Sequence, residues 1–187
     1  MEERIFYVSD YHFDHQIALK RSRSDWFSTI EEMNETMIRL HNQKVRPEDQ
    51  VYILGDIIVC EESELEERLQ ATIGKLQGHL HLICGNHDYK YKDLTIFHNY
   101  FETVQDSLII KDRGRWVQLY HYPVLCWYRK QKGAFHIYGH LHNETIGKEC
   151  KSLQKEPRAL NACVEITEYE PCTLDELLDK NSRYKSI

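Results

Sequence analysis

The 187-residue chain has no C-x-x-C pair, no apolar run of membrane-spanning length, no apolar core in its opening residues and no surplus of positive charge. Each absence excludes something. Cys60, Cys84, Cys126, Cys150, Cys163 and Cys172 are scattered, so a cysteine-built zinc site is a poor reading. With no export signal they are expected to be reduced thiols in a cytoplasmic protein. No segment is long and apolar enough to argue for a membrane span. Acidic residues outnumber basic ones, 30 to 24. That argues against a general nucleic-acid coat, which needs Lys and Arg to neutralise phosphates. It leaves room for a small phosphate ligand whose charge is met locally, for instance by a metal. No repeat, low-complexity tract or Pro/Gly-rich linker divides the chain, so residues 1–187 are expected to form a single domain.

What is present alternates. "RIFYVSD" reads as a strand ended by Ser9-Asp10. Residues 28–41 read as a helix, with Ser28 and Glu31 as a capping box and Ile30, Met33, Met37 and Leu40 at helical spacing. "QVYILGD" is a short buried strand. A second helix is expected to open on Ser63 and Glu66, line one face with Leu65, Leu69, Ile73 and Leu76, and stop at Gly78. "HLHLICGN" is a third strand. Strand, helix, strand, helix, strand argues for an α/β unit with parallel strands. The second half is strand-rich: "DSLIIKD", "RWVQLYHYP", "AFHIYGHLH" and "NACVEITEY", with "DRGR" (112–115) as a hairpin turn. Thr173 and Glu176 cap a last helix over 173–182. Two sheets packed together with helices outside are the expected result.

Each strand that reads as buried ends in side chains able to bind metal: Asp10 and His12, then Asp56, then Asn86, His87 and Asp88, then His121, then His140 and His142. Open α/β sheets place ligands just past the carboxyl ends of strands. Carboxylates, imidazoles and one amide oxygen suit manganese, iron, zinc or nickel better than copper(I). Asp10-x-His12 and His140-x-His142 can each converge on one point. Taken singly, Gly-Asp or Gly-Asn-His-Asp is usually a turn; the repetition at successive strand ends is what points to a site. His79, His81 and His136 read as sheet-face residues, and His41 and His98 as surface.

In this order, Asp10-Tyr11-His12, Gly55-Asp56, Gly85-Asn86-His87-Asp88, His121 and Gly139-His140-Leu141-His142 resemble the signature of the calcineurin-like metallophosphoesterases, across residues 5–142. "SDYHFDHQIA", "VYILGD", "HYPVLCW" and "HIYGHLH" look like its small single-domain bacterial and phage members. The resemblance implies an α/β fold, a four-layer α/β/β/α sandwich of two mixed sheets with flanking helices. It also implies two divalent metal ions, with manganese the leading choice and iron, zinc or nickel as alternatives. Asp10, His12, Asp56 and His142 would hold one, and Asp56, Asn86, His121 and His140 the other, with Asp56 as the bridge. Tyr120 and Cys163 depart from the pattern without occupying a ligand position.

The chemistry so implied is hydrolysis of a small phosphomonoester or phosphodiester, nucleotides and cyclic nucleotides included. A hydroxide shared by the two metals would attack phosphorus. No protein nucleophile is needed, which agrees with the absence of a convincing Cys-His or Ser-His arrangement. His87 would contact the phosphate and help protonate the leaving oxygen. Asp88 would orient that imidazole or, equally, cap the turn. Of the basic run after the first motif, Lys20 and at least one of Arg21 and Arg23 read as solvated surface; His15 and Arg23 are the candidates for substrate contact. Trp127 and Tyr128 read as buried aromatics sooner than as base-stacking ones. The alternatives are a nuclease acting on nucleic-acid ends and a non-catalytic metal-binding scaffold of the same fold. A structural zinc domain fits poorly, because such sites are cysteine-rich.

Overall fold

The computed structural model describes residues 3–185. Its first sheet is built from β1 (Ile5–Val8), β2 (Gln50–Ile53), β3 (His79–Ile83) and β4 (Thr103–Gln105), side by side and parallel throughout. The second contains β5 (Ser107–Asp112), β6 (Arg115–Tyr120), β7 (Phe135–Tyr138) and β8 (Ala159–Asn161). Here β5 and β6 are antiparallel, while β6, β7 and β8 run parallel. The second sheet is thus mixed, as expected, and the first is purely parallel. The expected hairpin joins β5 to β6. Arg113 and Gly114, at φ 46° and 83°, are the two left-handed residues that such a tight turn requires.

Among the described residues seven α-helical segments accompany the sheets: α1 (Gln16–Ala18), α2 (Ile30–Lys44), α3 (Leu65–Ala71), α4 (Thr95–His98), α5 (Lys148–Gln154), α6 (Val164–Thr167) and α7 (Leu174–Tyr184). The cap of α2 falls one residue later than the sequence suggests. Thr29 Oγ1 accepts from the Glu32 amide, and Glu32 accepts from the Ser28 amide. Before α3, residues Glu62–Glu64 form a single 3₁₀ turn, so Ser63 does not cap the helix. At α7 the Thr173–Glu176 box forms as expected.

The period of two along the strands sorts the core. Phe6 and Val8, Val51 and Ile53, Leu80 and Leu82 face one way, onto Met33 and Met37 of α2 and Leu65 and Leu69 of α3. Tyr7, Leu54 and Ile83 face the other way, onto Val117, Leu119, Ile137 and Leu160 of the second sheet. A third cluster, with Trp127, Tyr138 and Leu153, covers the far face. Each fully buried aliphatic side chain in these layers contributes roughly 1.5–3 kcal/mol. The order is helices, sheet, sheet, then α5 with the loop from 122 to 134. Trp127 is buried and donates to the Ala134 carbonyl.

Two histidines sit inside this core, one of them, His41, against the sequence expectation. His41 is not surface: it is fully buried, accepts from the Tyr11 hydroxyl at 2.8 Å and donates to the Gln77 carbonyl at 2.8 Å. His136 is equally buried, between the Val124 amide and the Gln118 carbonyl. Among the described residues no helix is long and apolar enough to cross a membrane.

Candidate metal centre

The carboxyl ends of β1, β2, β3, β6 and β7 meet at one cleft, about 480 Å³ in volume, whose walls include His12, Asp56, Asn86, His87, His140 and His142. Past the strand ends, the first two segments keep running alongside each other. The amides of Asp10, His12 and Phe13 donate to the carbonyls of Gly55, Asp56 and Ile57. This pairing holds Asp10 and Asp56 as neighbours. Glycine makes the close approach possible: a Cβ on Gly85 would lie 2.3 Å from Asp56 Oδ1, and one on Gly139 would lie 1.9 Å from Ser9 Oγ.

Backbone strain gathers at the same place. Asp10, His12, Asp56, His140 and His142 have φ of 58°, 48°, 52°, 69° and 48°, a region that costs a residue with a Cβ about 1 kcal/mol or more. Five such residues around one cleft mark a functional site, because the rest of the fold must hold them there.

The electrostatics of the cluster call for a cation. Asp10 Oδ2 accepts from Ser9 Oγ at 2.5 Å, the His140 amide at 2.9 Å and Cys163 Sγ at 3.2 Å. Asp10 Oδ1 is buried and has no hydrogen-bond partner among the described residues. It lies 3.7 Å from His12 Nε2 and 3.6 Å from His142 Nε2. Asp56 Oδ2 lies 3.6 Å from both His12 Nε2 and His121 Nε2. These gaps are too long for hydrogen bonds. They match the separation of two ligands that each sit about 2.1 Å from a shared metal.

The far nitrogens of the rings are tied down. His121 Nδ1 donates to the Leu54 carbonyl at 2.7 Å, which leaves the Nε2 lone pair facing Asn86 Oδ1 at 3.3 Å. A lone pair aimed at an oxygen is repulsive unless a proton or a cation lies between them. His142 Nδ1 is held at 2.9 Å by Glu165 Oε1, and His12 Nδ1 lies 3.0 Å from His15 Nδ1. Three overlapping groups place their ligand atoms within 4.8 Å of one another: Asp10, His12, His142; His12, Asp56, His87; and Asp56, His121, His140. Asp56 and His12 each belong to two groups, so the residues form one continuous cluster that a metal fits.

Burial opposes the charge of Asp10, yet the neighbouring His121, His142 and His12 hold its carboxyl well below the usual range. Burial also works against a proton on His142, but Glu165 and Asp10 outweigh it and raise its pKa.

The chain is 30% identical over 187 residues to MJ1445, an uncharacterized protein of Methanocaldococcus jannaschii, covering 98% of this chain and 96% of that one. It belongs to the MJ1445 family. The fold agrees with the crystal structure of AQ665 from Aquifex aeolicus, a protein of unknown function, at a TM-score of 0.70 with 27% identity over 96% of this chain and 99% of that one. The E. coli phosphoesterase YfcE aligns over 86% of this chain and 78% of its own, at 14% identity and a TM-score of 0.39, too loosely to carry an argument. No family model matches.

In this MJ1445-family chain, two sequence-derived roles need correction. Arg23 does not reach the cleft. It is fully buried, its Nη1 and Nη2 donate at 2.6 Å to the carbonyls of Tyr11 and Asp10, and its Nε donates at 2.9 Å to Glu165. The π-helical turn Leu19–Arg23 rotates it inward. Arg21, by contrast, is exposed at the cleft wall beside His15. Asp88 does not orient His87. Its Oδ2 accepts from the amides of Asp56 at 2.7 Å and Gly85 at 2.8 Å, and its Oδ1 from Ile57 at 3.1 Å. It therefore clips the Gly55–Asp56 turn to the turn after β3. Burial pushes its pKa up to about 7 against the pull of those amides.

The sequence reading missed Glu165. "NACVEITEY" reads as a strand, but β8 stops at Asn161 and a short helical turn follows. That turn brings Cys163 against Asp10 and Glu165 against His142. The acidic residue three positions past Ala162 was the one available signal.

Proposed function

We propose that this protein is a metal-dependent phosphoesterase, with two divalent ions held by Asp10, His12, Asp56 and His142 on one side and by Asp56, Asn86, His121 and His140 on the other. It would be a small single-domain relative of the calcineurin-like metallophosphoesterases, acting on a small phosphomonoester or phosphodiester. The observation that carries this is the buried Asp10 Oδ1, without a hydrogen-bond partner among the described residues and facing two ring nitrogens at 3.6 and 3.7 Å. A carboxylate oxygen so placed needs a positive charge, and manganese, iron, zinc or nickel suits its neighbours.

Bound there, such ions would supply positive charge for the phosphate oxygens and lower the pKa of a water nucleophile. The protein's own residues do the rest. Asp56 accepts the His87 amide at 2.9 Å on Oδ1, which fixes the turn that carries His87 and leaves the rest of the carboxylate free to help hold the ions. The His87 ring lies 5.1 Å from that of His12 and 5.3 Å from that of His15, at the mouth of the cluster, where it can meet a phosphate oxygen and donate a proton to the leaving group. Arg21 on the same wall meets the substrate's remaining charge, while His15 beside it, held neutral by burial and by the neighbouring His12 and His87 with its pKa lowered to about 4, offers only a hydrogen bond. The open cleft suits small or varied esters.

Adding Mn²⁺ to metal-stripped protein should switch on hydrolysis of an aryl phosphomonoester or diester reporter. Protein that takes up Mn²⁺ and turns over neither reporter would refute the enzyme reading.

A further inference from the structure

We infer that Glu165, clamped by the buried Arg23, is the positioning residue that sets the His142 ring for the metal position it forms with Asp10 and His12. This rests on the two-metal reading proposed above. It goes beyond it in assigning one side of the centre its own support.

The geometry is specific. Glu165 Oε1 lies 2.9 Å from His142 Nδ1 and 2.9 Å from both Nε and Nη2 of Arg23. A carboxylate oxygen beside a guanidinium can only accept, so Nδ1 must carry the ring proton. In the neutral ring, the form that can bind a metal, the lone pair is then on Nε2, aimed toward Asp10 Oδ1 at 3.6 Å. A carboxylate behind a ligand histidine fixes both tautomer and ring angle. Packing alone does not do this here, because the His142 side chain is 28% exposed on the cleft side.

Stability is a poor explanation for the pair. A buried Arg–Glu bridge is often no better than apolar residues of the same size. Glu165 Oε2, moreover, is buried without a partner among the described residues. A group kept for stability would use both oxygens; this one is placed so that a single oxygen faces three donors. The same short turn reaches the same metal position a second time, through Cys163 Sγ against Asp10 Oδ2 at 3.2 Å. Arg23 completes the frame by holding the carbonyls of Asp10 and Tyr11. On the opposite side His121 leans on the Leu54 carbonyl, outside this network. Losing Glu165 should therefore affect one position and spare the other.

The test is calorimetric titration of metal-stripped protein with Mn²⁺ alone. Wild type is expected to show two sites. Glu165→Ala should weaken one of them by about 10–100-fold and leave the other unchanged. Glu165→Gln keeps the shape and an acceptor oxygen, removes the charge and puts an amide NH₂ in place of the second oxygen. It should fold even if the alanine variant does not, and weaken the same single site by about 3–10-fold. His142→Ala with Glu165→Ala should bind no more weakly than His142→Ala alone, since the two act as one unit. Two wild-type sites left unchanged in the folded variants, or weakened equally, overturn this inference alone. A wild-type protein that takes up no Mn²⁺ overturns the metal reading, and this inference with it.

Discussion

Asp10 Oδ1 and His142 Nε2 face each other at 3.6 Å, brought together from β1 and from the loop after β7, with no hydrogen bond between them. With the ring neutral and its lone pair aimed at the carboxylate, this arrangement costs stability. With a cation between them it becomes a binding site. Mn²⁺ should therefore stabilise the fold: at 100 times its Kd, one ion adds about 2.7 kcal/mol. In a chain of this size that is a rise of roughly 5–10 °C in the melting temperature. Asp10→Asn should lose most of the rise. A thermal scan with and without Mn²⁺ measures it, and equal shifts in both proteins would count against the site.

Asn86 and His87 are adjacent but should separate on substitution. Asn86→Ala removes an oxygen that faces His121 Nε2 at 3.3 Å, and should weaken metal uptake by at least about tenfold. His87→Ala should keep both metals and lower kcat by about 100-fold, the contribution expected of a general acid. Metal analysis beside steady-state rates distinguishes them. Loss of a metal from His87→Ala would instead make His87 a ligand, as its grouping with His12 and Asp56 allows.

Asp88→Asn tests the corrected role of that residue. An amide group in place of one oxygen would confront a buried backbone N–H and cost about 2–4 kcal/mol. Urea unfolding should show the loss. A residue that only oriented His87 would leave stability intact and change the rate alone.

Arg21→Ala should raise KM by about tenfold and leave the melting temperature unchanged, because Arg21 is exposed at the cleft and makes no ion pair among the described residues. Arg23→Ala should do the reverse and destabilise the fold, since it empties a buried position and strands two carbonyls. Comparing KM and melting temperature for the pair checks the exchange of roles.

The pH dependence of stability should come partly from His41 and His136. Burial lowers the pKa of each to about 4 from an ordinary 6.5. Above pH 6.5 both are neutral, folded or unfolded, and add no slope. Between 6.5 and 4 the unfolded chain takes up protons that the folded chain refuses, so stability falls as pH falls. At pH 5 the loss is about 2 kcal/mol for each. Urea midpoints of EDTA-treated protein at pH 7.5 and 5 should show it, and His136→Gln should reduce it.

The gathering of candidate ligand side chains at one cleft was legible in the sequence for a physical reason. Asp10, His12, Asp56, Asn86, His121, His140 and His142 each follow a short apolar strand, and strand periodicity survives in one dimension. The parallel first sheet and the 113–114 hairpin were legible on the same ground. What was not legible depends on how a turn rotates. Arg23 read as a candidate for substrate contact within a basic run, but a π-helical turn points it inward. His41 sits on α2 beside polar residues, and only the packing of Tyr11 and Gln77 shows that it is enclosed. Glu165 lay in a run that resembled a strand, and its partner His142 is 23 residues away. Supporting contacts of this kind join distant segments one atom at a time and leave no periodic trace.

The central claim is that Asp56 is shared by two metals in a hydrolytic centre. The direct measurement is the Mn²⁺-dependent hydrolysis rate of an aryl phosphate reporter, by wild type and by folded Asp56→Asn, with bound metal counted in both. Wild type should bind two ions and turn over. Asp56→Asn should lose metal and at least about 100-fold in rate. An Asp56→Asn protein with full metal content and an unchanged rate would contradict the claim.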